Sequence, residues 1–141
     1  MAKFQGGVDG IIKALQLMNS EERDRLLSEV SKKDPRMAEL INEKLYSLSD
    51  LEFISDKMLV EFLQKVNSKH LGFAFKLQND DFVNEFIKRV PRSIREDILY
   101  SRNESKIAKR DALSYEKEIL SLFRDMIDKG SLVLSKNDDY I

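Results

Sequence analysis

The chain contains no cysteine, which excludes disulfide frameworks, thiolate catalysis and zinc–thiolate centres. Its single histidine, His70, excludes any site built on two imidazoles. Glycine and proline are scarce. Five Gly and two Pro among 141 residues make about 5%, against about 12% in an average protein. A chain so poor in turn formers cannot reverse often, which argues against a β-sandwich or barrel. Neither sign of charge dominates. Lys and Arg number 24 and Asp and Glu 25, a net charge of −1, so nothing global points to nucleic acid or an anionic membrane. Apolar runs reach four residues at most, far short of the roughly 20 that span a bilayer. The opening Met1-Ala2-Lys3-Phe4 has no signal-peptide stretch. A soluble, cytoplasmic chain is expected.

What is present suits a helical protein. Hydrophobic residues make up 42%, enough for a core in one domain or two very small ones. Val8, Ile11, Ile12, Leu15 and Met18 fall at helical spacing, so a first helix is predicted over 8–18. Ser20 can cap a second, with Glu21 and Glu22 in its first turn and Leu26, Leu27 and Val30 on its apolar side. Asp34-Pro35 is a strong start signal, since proline's missing N–H is not needed at the first helical position. Met37, Leu40, Ile41 and Leu45 continue that stripe.

Ser49 opens a turn, Ser55 caps the helix carrying Leu59, Phe62, Leu63 and Val66, and Ser68 can start the next. Asn79 can cap a helix with Phe82, Phe86, Ile87 and Val90 inward, and Pro91 breaks the chain. Asp111 is predicted to start the longest helix, with Ile119, Phe123, Met126 and Ile127 inward and Gly130 just past its end. Residues 131–134 read as short and extended, and the tail from Lys136 as polar. Short apolar-striped helices in series must pack as a bundle or small superhelix, so the fold class is all-α.

No enzyme motif is present. The adjacent acidic pairs Glu21-Glu22, Asp80-Asp81, Glu96-Asp97 and Asp138-Asp139 diverge on a helix and read as caps and solvated surface. None has calcium-loop spacing, and Gly6-Gly7 lacks the strand and the Gly-Lys-Ser/Thr pattern of a phosphate loop. His70 reads as a local polar contact. No catalytic residue, metal or cofactor is expected.

Charge is nonetheless uneven. Residues 88–110 hold eight basic and three acidic side chains, +5, between flanks of −3 each. Arg95 and Arg102 are two helical turns apart and Arg92 lies three before Arg95, so the three share a stripe, flanked by Glu96 and Asp97. Exposed, they would form a mixed-charge surface for another protein. Internal, they would pair with Asp80, Asp81 or Glu85 and hold the bundle together. With only Tyr100 interleaved, a nucleic-acid patch is disfavoured.

The order of motifs resembles the middle-to-C-terminal part of the FliG family of flagellar rotor and switch proteins. The resemblance rests on Gly6-Gly7-Val8, Asp34-Pro35, Leu45-Tyr46-Ser47-Leu48-Ser49-Asp50-Leu51, Leu71-Gly72-Phe73-Ala74-Phe75-Lys76, Arg124 and Gly130-Ser131-Leu132-Val133-Leu134, and covers about residues 6–134. Leu45-Tyr46-Ser47-Leu48 stands where the family has a Met-Phe-x-Phe hinge. Lys76 matches the lysine of the family's Ala-Leu-Lys segment. Ser105–Ala108 stands where the family has Gly-Pro-Val-Arg, with Gly, Pro and Arg all absent, and Glu96-Asp97 lies a few residues before the family's paired acids. The family's segments before the Gly-Gly linker have no counterpart, so either a C-terminal fragment or a short, divergent relative is expected.

The resemblance implies an armadillo-like helical segment over 1–48, a C-terminal right-handed superhelical bundle over 49–134 bearing a charged, torque-like helix, and a polar tail over 135–141. Gly6, Gly7 and Leu45–Leu48 would be hinges. Lys76, Arg92, Arg95, Glu96, Asp97 and Arg102 would meet partners, namely the stator's cytoplasmic domain, other switch-complex subunits and neighbouring copies, at the cytoplasmic face of the flagellar basal body. No nucleic acid or membrane insertion is implied. The alternative is an interaction module without a torque role. The first lobe's stripe of Val8, Ile11, Leu15, Leu26, Met37 and Leu40 belongs to three helices, so part of it is expected to stay exposed and favour self-association.

Overall fold

The computed structural model describes residues 8–135. Every regular element among them is helical: α1 (Val8–Gln16), α2 (Ser20–Lys33), α3 (Pro35–Lys44), α4 (Asp56–Lys65), α5 (Ser68–Ala74), α6 (Asp80–Lys88), α7 (Arg92–Asn103) and α8 (Lys109–Asp128), with 3₁₀ turns at Leu48–Phe53 and Phe75–Leu77. The all-α expectation holds. The Gly6-Gly7 hinge and the tail from Lys136 lie outside the described residues. The chain divides into two compact units, Met1–Tyr46 and Ser47–Ile141.

In the first unit Asp34 serves two helices. Its backbone N–H donates to the Val30 carbonyl and closes α2, while its side chain accepts the Met37 N–H and opens α3. One residue therefore suffices between the helices. The cap of α2 is Asn19, not Ser20: its side chain accepts the Glu22 N–H, and Glu22 returns a carboxylate to the Asn19 N–H. Ile11, Ile12, Leu15, Ile41 and Leu45 form the core, with Met18, Leu26, Leu27, Val30 and Met37 packed against it. Of the stripe expected to stay partly exposed, Ile11 and Leu15 are buried, Leu26 and Met37 are half-buried, and Leu40 is exposed. A groove of about 270 Å³ remains between Ile11, Ala14, Leu26, Val30 and Met37.

The second unit is built around α5, which packs on α7 and α8. Phe62, Phe75, Phe123, Leu71, Ile98, Ile119 and Leu132 are each less than 2% exposed. Phe62 meets Phe123 edge-on, and Phe75 meets Phe82 and Phe86 edge-on. Such pairs add about 0.5–1.5 kcal/mol beyond their buried area. The 20 residues of α8 extend about 30 Å. Its buried positions, Ala112, Glu116, Ile119, Phe123 and Met126, recur every three or four residues. It begins at Lys109, two residues before the expected Asp111.

Gly130 closes α8 with φ +80°, as its N–H bonds to the Ile127 carbonyl and the Ser131 N–H to the Met126 carbonyl. Residues 131–134 form no strand; a single bond joins the Ser135 N–H to the Phe53 carbonyl. A Cβ at Gly130 would touch nothing within 4 Å, so Gly130→Ala carries only the backbone penalty of the left-handed region. The expected loss is about 1–2 kcal/mol, read as a lower urea midpoint at unchanged slope.

Candidate partner-binding face

Three devices hold the charged helix α7 and α6 before it. The first is steric. Gly72 on α5 leaves no side chain between the helices; a Cβ there would lie 2.4 Å from the Ile98 carbonyl oxygen and 2.6 Å from the Ser101 Cβ. Ile98 and Ser101 are buried against this contact.

The second is an exchange of cations between helix ends. Arg102, in the last turn of α7, donates to the carbonyls of Phe75 and Gln78, each at 2.9 Å, and to Asp80. Lys76 donates in return to the carbonyls of Arg102 and Ser105. Each cation thus bonds to carbonyls near the end of the other element, where the helix dipole also favours positive charge; the Phe75 carbonyl is shared with the Gln78 N–H. The Arg102 side chain is 14% exposed.

The third is Arg89, which donates to Asp56 and to the carbonyls of Leu51 and Ile54. It ties the end of α6 to the 3₁₀ turn at Leu48–Phe53.

The six residues expected to meet partners therefore separate. Arg92, Glu96 and Asp97 are exposed and make no ion pair. Arg95 is half-buried: its Nη2 donates to the Val90 carbonyl and its Nε is buried without a partner. Lys76 and Arg102 are turned into the bundle. The expectation that Arg92, Arg95 and Arg102 share one exposed face is corrected, because Arg95 and Arg102 lie three before and four after the buried Ile98 and so flank the inner stripe. Of the internal partners considered, Asp80 is the one Arg102 takes.

What α7 shows to solvent is Arg92, Ser93, Glu96, Asp97, Tyr100 and Asn103, with Glu104 at its end. That is one cation against three anions around an aromatic ring that is 64% exposed. Tyr100 and Glu104 were not among the expected contact residues, yet they lie four and eight positions after Glu96, on its side of the helix. Within a segment basic in sequence, α7 itself thus presents an outward side that is acidic on balance.

Of the proposed hinge, Leu45 is buried in the first unit's cluster, and the Tyr46 carbonyl accepts from Arg23. Ser47 donates its N–H to the buried Asp50, and Leu48 is fully buried. His70 makes a polar contact as expected, but not a local one: Nδ1 lies 2.8 Å from Glu118 on α8, and the ring packs on Tyr115. Among the described residues no group of three or more His, Asp or Glu could hold a metal ion, and no helix is long and apolar enough to cross a membrane.

Comparison with known proteins gives one answer. The FliG C-terminal domain family matches residues 28–134. The flagellar motor switch protein FliG of Borreliella burgdorferi is 22% identical over 139 residues, covering 95% of this chain and 39% of that protein. Its counterpart in Aquifex aeolicus is 25% identical over 132 residues, covering 89% of this chain and 39% of that one. The chain thus spans about two-fifths of these relatives' length. Among solved structures, FliG residues 86–343 from H. pylori superposes with a TM-score of 0.64 at 16% identity, over 92% of this chain and 62% of that one. Full-length FliG from Aquifex aeolicus gives 0.54 at 22% identity, over 92% and 40%. The structural likeness shows the fold.

Proposed function

Because the chain belongs to the FliG C-terminal domain family, whose members are motor switch components and not enzymes, we propose that it acts in the rotor and switch of a bacterial flagellar motor. In this reading it works at the cytoplasmic face of the basal body. The outward side of α7 meets the stator's cytoplasmic domain, and the other unit meets switch subunits or a neighbouring copy. Gly6, Gly7 and Leu45–Leu48 are the hinges. The observation that carries the proposal is the exposed face of Arg92, Glu96, Asp97 and Tyr100 on a helix fixed at its end by Arg102 and Lys76. Exposed ion pairs contribute only about 0–1 kcal/mol each. Such contacts form and break quickly as one ring passes another, while the rigid support transmits the load.

Reversing Glu96 and Asp97 to Lys tests this. Unfolding free energy should stay within about 0.5 kcal/mol, since both side chains are exposed and unpaired. Swimming of the cells that make this chain should fall. Unchanged swimming at unchanged stability would sink the torque role and leave the second reading, an adaptor that docks without bearing load. That reading is favoured by the acidic balance of the face and by Ser105–Ala108, which lacks the family's Gly, Pro and Arg.

A further inference from the structure

Three charged side chains are buried among the described residues: Arg23, Asp50 and Glu116. Burying a charge is costly unless a specific bond offsets it. Glu116 lies within α8. The other two meet at one peptide bond. The chain divides into its two units between Tyr46 and Ser47, so the peptide joining these residues is the covalent link across the boundary. Its carbonyl oxygen accepts from the Arg23 guanidinium at 3.3 Å, and its N–H donates to the Asp50 carboxylate at 3.0 Å.

Each of these bonds stays within its own unit. Arg23 stands near the start of α2, where Asn19 braces the first turn with a capping box. Asp50 lies in the 3₁₀ turn at Leu48–Phe53. Among the described residues Arg23 forms no ion pair, and the Tyr46 carbonyl is its one hydrogen-bond acceptor. The first unit's core of Ile11, Ile12, Leu15, Ile41 and Leu45 is apolar throughout. What the buried cation serves is therefore the junction.

The chain has little slack there. Leu45 is buried in the first unit's cluster, with its N–H on the Ile41 carbonyl, and Leu48 is fully buried. Only Tyr46 and Ser47 separate these anchors. A peptide group is planar, so holding its oxygen from one unit and its N–H from the other fixes the plane. The two holds are unequal. Charge-assisted N–H···O bonds usually span about 2.7–2.9 Å, and the Arg23 bond is the longer of the pair. The Asp50 bond belongs to a closed turn, because the Asp50 N–H returns to the Ser47 carbonyl at 3.0 Å.

We propose that Arg23 is the releasable latch of the junction between the two units. With Arg23 bonded, the Tyr46–Ser47 peptide is fixed. With Arg23 displaced, the chain turns at Tyr46 while Ser47 stays with Asp50. Control of the junction then lies in α2: a partner that shifts its first turns, or draws the guanidinium to an anion, frees the chain at Tyr46. The inference rests on the reading of Leu45–Leu48 as a hinge. Its test reads the junction in the purified chain, so it fails separately from the motor role, which swimming reports.

The experiment compares the full chain with Arg23→Met, which keeps much of the apolar stem and loses the donor. In the unsubstituted chain the amides of Tyr46 and Ser47 should have order parameters of about 0.85, the value of rigid backbone. In the variant Tyr46 should fall below about 0.6, into the flexible range, while Ser47 and Asp50 keep their values. Chymotrypsin, which cuts after aromatic residues, should cleave the variant after Tyr46 about tenfold faster, the change that loss of one hydrogen bond from a charged donor allows. Low order at Tyr46 in the unsubstituted chain, or equal cleavage of the two chains, would overturn the proposal. Loss of order at Ser47 along with Tyr46 would also overturn it, since the Asp50 side would not be holding. Cleavage spread through residues 8–45 would assign Arg23 to the stability of the first unit and overturn the latch as well.

Discussion

Gly72→Ala should cost the second unit about 3 kcal/mol, the upper end of what overpacking usually costs. The reason is what the new methyl would meet. Its nearest neighbours are the Ile98 carbonyl oxygen at 2.4 Å and the Ser101 Cβ at 2.6 Å. Neither is the flexible end of a long side chain, so a rotamer change cannot relieve the clash. Either α5 and α7 separate or one of them bends. Separation would uncover Ile98 and Leu71, both fully buried, and would pull on the carbonyls held by Lys76 and Arg102. For a unit of this size the midpoint of thermal unfolding should fall by more than about 10 °C. A loss below about 1 kcal/mol would mean that the helices have slack at this crossing.

Arg102→Glu should be at least as damaging, at about 3–4 kcal/mol, because two charge-assisted hydrogen bonds to main-chain carbonyls are lost and their acceptors left facing an anion. The substitution removes the donor to Phe75, Gln78 and Asp80 and sets an anion against two carbonyl oxygens and a carboxylate. Arg102→Met keeps much of the apolar stem and should lose about 2 kcal/mol, in line with the loss of hydrogen bonds from a charged donor. Lys76→Met should be similar. The double variant should lose less than the sum, because the two cations brace the same pair of helix ends. Chemical denaturation of the three variants measures this. A stable, fully folded Arg102→Glu protein would place the side chain at the surface and return it to the partner face. The contrast with Glu96 and Asp97 separates the support of α7 from its outward side.

Helix starts were legible wherever the cap chemistry is local. Asp34, Ser55 and Asn79 each accept the N–H of the residue three positions on, in the helix they open, and a short polar side chain before an apolar stripe announces that bond. The exceptions are instructive. Serine was expected to begin α2 and α5, yet Asn19 and Asn67, each one residue earlier, take the caps. When two capable side chains are adjacent, one residue of register decides which sits outside the helix. The start of α8 has no side-chain cap at all, so nothing in the local sequence marked it.

The core stripe of α8 was legible for the same local reason, since the spacing of Ile119, Phe123 and Met126 assigns a face without knowledge of the partner, whereas the α3 stripe took in the exposed Leu40 and the α6 stripe passed over the buried Val83. The interior cations were not. Arg102 and Lys76 bond to carbonyls 24 to 29 residues away, and a main-chain carbonyl leaves no mark in the sequence. One signal was available. Ile98 identifies the inner side of α7, and positions 95 and 102 flank it, so the arginine stripe was periodic on the wrong side for a purely exposed surface.

The acceptors in that brace have an evolutionary consequence. Apart from Asp80 and the adjacent Asn103, they are peptide oxygens, identical whichever amino acid occupies positions 75, 78 and 105. Substitution at those positions does not remove the bond, so no compensating change is demanded when a neighbour drifts. Across relatives, Lys76 and Arg102 would be held constant with no partner column varying in step. Methods that recover contacts from paired substitutions would pass over the junction that fixes the end of α7, and a survey of charges by sequence would count two surface cations that are not at the surface.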